Sequence, residues 1–211
     1  AAINDMEINM SFKIVVDSCC ELPEEYLQDS RFEIVPLGLE VGDYQIQDDE
    51  NFDQAEFLKK VAECPKCPKS ACPSPERFRE AYHTEAEHVY VITLSSHLSG
   101  SYNSAVLGMN LYREKYGKKQ IHVIDSESAS CGETQIVKKL VELEEQGLSF
   151  EEIVKQISGS LAALCSTVLP SASTAASITF SVAPTEGNGR CMPAPCSPSG
   201  AVQSSCPPCT E

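Results

Sequence analysis

Two rhythms of apolar and polar positions run along the chain, and the switches between them predict its elements. Phe12-Lys-Ile-Val-Val-Asp17 is a short apolar run closed by Asp-Ser, the pattern of a buried parallel strand whose carboxyl end opens into a polar loop. Leu22 to Leu27 follows as a short helix begun by Pro23 in its first turn. Ile34, Val35, Leu37, Leu39 and Val41 make Phe32 to Val41 a second strand. The acidic stretch Asp43 to Asp53 reads as a solvated connection, ending where Asp53 caps a helix with Phe57, Leu58 and Val61 at helical spacing. Cys64 to Pro75 holds four prolines, which exclude helix and central strand and predict a rigid loop. Ser74-Pro75-Glu76 then starts a helix with Ser as cap, Pro in the first helical position, and Phe78 and Tyr82 on its apolar face.

The pattern repeats downstream. Val89-Tyr-Val-Ile-Thr-Leu94 is a buried strand followed directly by a hydroxyl-rich turn, and Ser104 to Tyr116 is a helix closed by Gly117. Ile121-His-Val-Ile-Asp125 repeats the strand-then-Asp-Ser pattern. Ile136 to Gln146 is an amphipathic helix ended by Gly147, and Ser149-Phe-Glu-Glu152 is a capping box for one more, through Ile153, Val154 and Ile157. Strands alternating with helices predict an α/β domain over 11–157, with a mainly parallel sheet and helices on both faces. Ligands of such sheets bind outside the carboxyl ends of the strands, so the polar turns should share one edge.

Both flanks differ. Residues 1–10 lack periodicity and read as a leader or upstream remnant. From Ser158 the only charged side chains are Glu186, Arg190 and Glu211, and Ser, Ala, Thr, Pro and Cys dominate. Such a segment buries too little to offset its ordering entropy. Residues 158–211 are therefore expected to be a low-complexity tail, aberrant or disordered, in place of a second folded domain.

Charge narrows the partners. A net charge of −15 argues against nucleic acid, whose binding depends on Lys and Arg neutralising phosphates. No apolar run reaches the roughly 18–20 residues of a spanning helix, so no integral membrane segment is expected. Eleven cysteines are enough for a disulfide scaffold, but an odd count with no secretory signal fits reduced thiols and a cytoplasmic location.

Three chemistries compete for the motifs. Cys64-Pro-Lys-Cys67 with Cys72, and Cys206-Pro-Pro-Cys209, have the spacing of thiol redox or zinc-binding modules. Ser99 or Ser101 beside His97 suggests a small hydrolase, without the Gly-x-Ser-x-Gly elbow. The third concerns two hydroxyl turns, Ser70-Ala-Cys-Pro-Ser-Pro75 and Leu94-Ser-Ser-His-Leu-Ser-Gly-Ser-Tyr-Asn-Ser-Ala105, each leading into a helix. Helix N-termini present free N–H groups and hydroxyls add neutral donors, a combination suited to a carboxylate or phosphate. The plain alternative is that Ser70, Ser74, Ser96 and Ser99 only cap helices and turns.

Four stretches, in order, resemble the DegV family of bacterial fatty-acid-binding proteins: Ile14-Val-Val-Asp-Ser-Cys-Cys-Glu-Leu-Pro23, Ser70 to Pro75, Leu94 to Ala105, and Val123-Ile-Asp-Ser-Glu-Ser-Ala-Ser130. The resemblance covers the family's N-terminal α/β domain. It implies a carrier, not an enzyme, that buries one long-chain fatty acid and presents it to a separate fatty-acid kinase for phospholipid synthesis, with no cofactor, metal or catalytic residue of its own. By position it implies that Ser70 and Ser96 hold the carboxylate, with Ser99 close by. Ser70 stands for the family's usual Thr, and Ala71 and Cys72 for Ser and Gln. The family's second α+β domain, with a Gly-Gly-Arg segment, has no counterpart after Ser158.

Overall fold

The computed structural model describes residues 12–166, with side chains over 12–161. Four strands form an all-parallel sheet in the order β2-β1-β6-β7: β1 (Phe12–Asp17), β2 (Phe32–Val35), β6 (His88–Thr93) and β7 (Gln120–Asp125). Strand alternation gives each strand two apolar faces. Phe12, Ile14, Val16, Tyr90, Ile92 and Ile124 point to one core, closed by α5 (Cys131–Glu145) and α6 (Phe150–Ser166). Val15, Val89, Val91, Ile121 and Val123 point to the other, closed by α3 (Pro75–Ala81) and α4 (Ser101–Tyr116). The expected α/β architecture, parallel with helices on both faces, is the observed one.

Three expectations change. The strand foreseen over Phe32 to Val41 is two strands in different sheets, because Pro36 cannot donate to a ladder and the next N–H, of Leu37, bonds the Ser18 hydroxyl at 3.1 Å. The solvated connection contains a strand, β4 (Tyr44–Gln47), which folds back on β3 (Gly38–Val41) through Gly42 at φ 61°. A two-residue turn with left-handed glycine is the local signal for this hairpin. The proline-rich loop contains β5 (Lys69–Ala71), which pairs with β3 at the rim of this small antiparallel sheet, ordered β4-β3-β5. An edge position suits a segment bounded by prolines.

Helix ends follow their caps. Asp53 accepts the Glu56 N–H at 2.9 Å to open α2 (Gln54–Glu63), and Ser74 accepts the Arg77 N–H at 3.2 Å to open α3. Between β1 and β2, α1 (Glu24–Leu27) begins after Pro23, and its neighbour ring pair Tyr26–Phe32 stacks at 4.4 Å. Gly117 and Gly147 end α4 and α5 with positive φ. Helix α6 runs on to Ser166, past the boundary expected at 157; the rest of the tail, with Cys206 and Cys209, and residues 1–10 lie outside the described residues.

Helices α3 and α4 meet at Gly108. A Cβ there would stand 2.6 Å from the Pro75 carbonyl oxygen, 2.9 Å from Phe78 Cβ and 3.1 Å from Arg79 N. Alanine would recover about 1 kcal/mol of helix propensity. The overlap is with two backbone atoms and a Cβ, none of which can swing aside, so the cost lies in the upper half of the ~1–3 kcal/mol usual for overpacking. Gly108→Ala is therefore expected to destabilise by about 1–2 kcal/mol in urea denaturation, and an unchanged midpoint would show that the helices part freely.

Candidate functional site

The carboxyl ends of β1, β6 and β7 converge on one edge, where the polar turns foreseen there are knitted together. Ser95 N–H donates to the Ser128 carbonyl at 2.9 Å, linking the turn after β6 to the turn after β7. Asp17, at the end of β1, accepts the Leu94 N–H on Oδ2 at 2.8 Å and the Cys19 N–H on Oδ1 at 3.2 Å. It also accepts the Ser101 hydroxyl and is fully buried; burial raises its carboxyl above the ordinary value against the pull of these bonds.

Ser96 is half-buried in this turn. Its N–H donates to Asp125 Oδ1 at 3.0 Å, and its hydroxyl bonds the same carboxylate. Burial pushes Asp125 up, but the hydroxyl and amide of Ser96, the Glu127 N–H and the nearby His97 outweigh it and hold the carboxyl below its usual value. Asp125 is thus an ionised orienting group for Ser96, at the end of the strand-then-Asp-Ser motif.

Ser99 faces Ser101, with 3.0 Å between the two hydroxyl oxygens, and accepts the Ser101 N–H at 3.2 Å. Because Ser101 spends its proton on Asp17, it can only accept from Ser99, so the Ser99 proton points inward. Ser99 reaches a ligand only by giving up that bond. Ser101 is buried and bonded to Ser99 and Asp17, with no histidine in that chain of contacts, and His97 is an exposed loop residue. This geometry does not assemble a nucleophile and base.

Ser70 lies elsewhere, in β5 opposite Leu39, on a shallow cavity of about 300 Å³ lined also by Gly38, Ile46 and Gln47. The two hydroxyl turns meet through Cys72, whose sulfur lies 3.7 Å from Ser104 Oγ and would stand 3.0 Å from a Cβ at Gly100. Ser74 acts as the cap of α3. The plain capping interpretation therefore holds for Ser74, while Ser96 and Ser99 bond side chains of their own turn or its neighbour. Cys64, Cys67 and Cys72 are free thiols, and among the described residues no three His, Cys, Asp or Glu groups are placed to hold a metal ion. Among those residues, too, no helix is long and apolar enough to cross a membrane.

The turn after β7 is tight. Glu127 and Ser130 have φ of 50° and 56°, and a Cβ on Gly132 would fall 2.0 Å from Ser128 Oγ, so only glycine fits. One turn into α5, Glu133 is fully buried, its Oε1 accepting the Ser130 N–H at 3.2 Å. Sequence reasoning assigned no role to Asp17, Asp125 or Glu133, and to Ser101 only that of a candidate nucleophile. The Ser130-x-x-Glu133 spacing is a cap signature that points to the last of them.

A family model described as uncharacterised protein, DegV family, matches residues 11–172. The chain belongs to the DegV family. A DegV domain-containing protein of Streptococcus pyogenes serotype M1 is 43% identical over 150 residues, which are 70% of this chain and 53% of that protein. Among solved structures, a DegV protein of Ruminococcus gnavus with vaccenic acid is 52% identical, with a TM-score of 0.70 over 72% of this chain and 55% of that one. The Streptococcus pneumoniae Fatty Acid Kinase (Fak) B3 protein, loaded with linoleic acid, is 37% identical with a TM-score of 0.64, covering 72% and 55%. The chain spans about half the length of the DegV relatives it matches.

Proposed function

We propose that this DegV chain is the carboxylate-gripping part of a cytoplasmic fatty-acid carrier that performs no chemistry itself and hands its ligand to a separate fatty-acid kinase. The observation that carries this reading is the vaccenic acid held by the R. gnavus protein, which is 52% identical over 72% of this chain. The Fak B3 protein, loaded with linoleic acid and named for a fatty-acid kinase, supports the partner. The lining at the strand ends agrees with it: a carboxylate in an apolar mouth must have its lone pairs met, and hydroxyls with backbone N–H groups meet them without a buried cation.

In this reading Ser96 and Ser70 are the anchors and Ser99 supports them. Asp125 aims the Ser96 hydroxyl before the ligand arrives; on binding, that proton turns from Asp125 to the fatty-acid carboxylate while the Ser96 N–H stays on Asp125. Leu98, 72% exposed in the same turn, offers apolar surface beside the polar grip. The further length of the relatives would supply the remaining wall around the acyl chain.

Native mass spectrometry after mild purification tests the reading, on this chain and on a full-length relative. A long-chain fatty acid should accompany the relative, and its clean absence there would count against the function. Ser96→Ala should weaken fatty-acid binding by about 1–3 kcal/mol, the cost of leaving a charged acceptor short of a donor. An unchanged affinity in fluorescence displacement would remove Ser96 from the grip.

A further inference from the structure

Beneath the hydroxyl turn two carboxyl groups meet without a cation between them. Asp17 and Glu133 are both fully buried, and their side chains hydrogen-bond each other. Asp17 already accepts from the Leu94 and Cys19 N–H groups and from the Ser101 hydroxyl. Glu133 Oε1 accepts the Ser130 N–H, while Glu133 Oε2 is buried and receives no N–H or O–H donor. Two carboxyls attract only with a proton between them. The oxygen at which no donor points is Glu133 Oε2, so the proton belongs there.

We propose that Glu133 is a positioning residue: it keeps a proton at neutral pH, donates it from Oε2 to Asp17, and so fixes the carboxylate that holds the Leu94–Ser101 turn in shape. The inference rests on the fatty-acid reading only where it concerns ligand affinity. It gives the turn one continuous chain of donors, Ser99 to Ser101 to Asp17 from one side and Glu133 to Asp17 from the other. It also removes one negative charge from beneath a site proposed to take an anion.

The surroundings favour the proton. The titratable groups facing Glu133 are Asp17 from β1 and Cys19 and Cys20 from the loop that follows, and none of these is a cation. Burial first, then the charge of Asp17, pushes Glu133 from 4.5 up to about 9. The folded protein then keeps a proton that the unfolded chain has lost. Its stabilising effect is complete below about pH 4.5 and is lost progressively as pH rises to about 9. Burial raises Asp17 as well, which acts in the same sense.

Carboxyl 13C NMR of the 211-residue chain reads the proton directly. Glu133 Cδ should hold its protonated shift through neutral pH and titrate near 9, whereas titration near 4.5 would overturn the proposal. Glu133→Gln keeps a donor in place, so the Leu94 amide should exchange as in the parent, while Glu133→Ala should speed that exchange by about tenfold or more. Glutamine should also flatten the decline of melting temperature between about pH 4.5 and 9, and parallel curves for parent and Gln variant would overturn the proposal. These readings stand even where the alanine variant does not fold. Retained fatty-acid affinity in the Gln variant and a loss in the Ala variant would support the link to the ligand. A pair that titrates as expected in a protein and relatives that bind no fatty acid would overturn the functional reading and leave the pair standing.

Discussion

Asp17→Ala is expected to cost about 3–5 kcal/mol of folding stability, because one buried side chain satisfies partners from three separate segments. Removing it strands the N–H groups of Leu94 and Cys19 and the hydroxyl of Ser101, and leaves Glu133 with a proton and no acceptor. Each buried group left unmade costs about 1–3 kcal/mol, and partial relaxation or entry of a water keeps the total below the simple sum. Asp17→Asn should be milder, about 1–2 kcal/mol: its carbonyl still accepts from Leu94, and its amide donates to a Glu133 that is then free to ionise. Urea denaturation of the three proteins gives the ordering parent, Asn, Ala. A loss below about 1 kcal/mol for Ala would mean that the turn after β6 holds itself and does not depend on β1. The same variant should loosen ligand binding more than Ser96→Ala does, since it releases the whole turn and not one hydroxyl.

That Asp17 matters was half legible in the sequence. An apolar run closed by Asp-Ser marks a strand end, and the same pattern at Asp125 and the hydroxyl turn after Thr93 placed three polar turns at one sheet edge. The unbroken apolar runs Ile14 to Val16 in β1 and Val89 to Ile92 in β6 equally foretold helices on both faces. What local pattern cannot carry is pairing across distance. Glu133 reads as an ordinary cap partner of Ser130, and only the packing of α5 against β1 brings it to Asp17. Likewise a serine's spacing says nothing about where its proton goes. Ser96 and Ser99 look equivalent within one turn of the sequence, yet one hydroxyl bonds an ionised Asp125 and the other a buried Ser101. The hairpin β3-β4 was missed for a different reason. Leu39 and Val41 read as the end of a strand, but their partners Tyr44 and Ile46 lie inside an acidic stretch whose charge outweighed the Gly42-Asp43 turn signal.

Phe78→Ala is expected to cost about 3–5 kcal/mol, and the loss should reach the site. Phe78 is fully buried between α3, α4 and the sheet, beside Tyr82 and within reach of the Gly108 contact, where no backbone slack remains to collapse the cavity. Phe78→Leu keeps most of the apolar volume and should cost about 1.5 kcal/mol or less. Both hydroxyl turns are mounted on the helices this side chain holds together, one leading into α3 at Ser74 and the other into α4 at Ser101. Loosening α3 against α4 therefore changes the distance between Ser70 and Ser96 as well as the stability. A cavity on the opposite face supplies the control. Ile157, fully buried in the other core, lies on α6, away from both turns, and Ile157→Ala should cost about 2–5 kcal/mol. Measured well below both melting points, Phe78→Ala should weaken fatty-acid binding while Ile157→Ala leaves it near the parent. Equal loss in both would mean that affinity follows global stability, and the spacing of α3 and α4 would then have no special part in setting the grip.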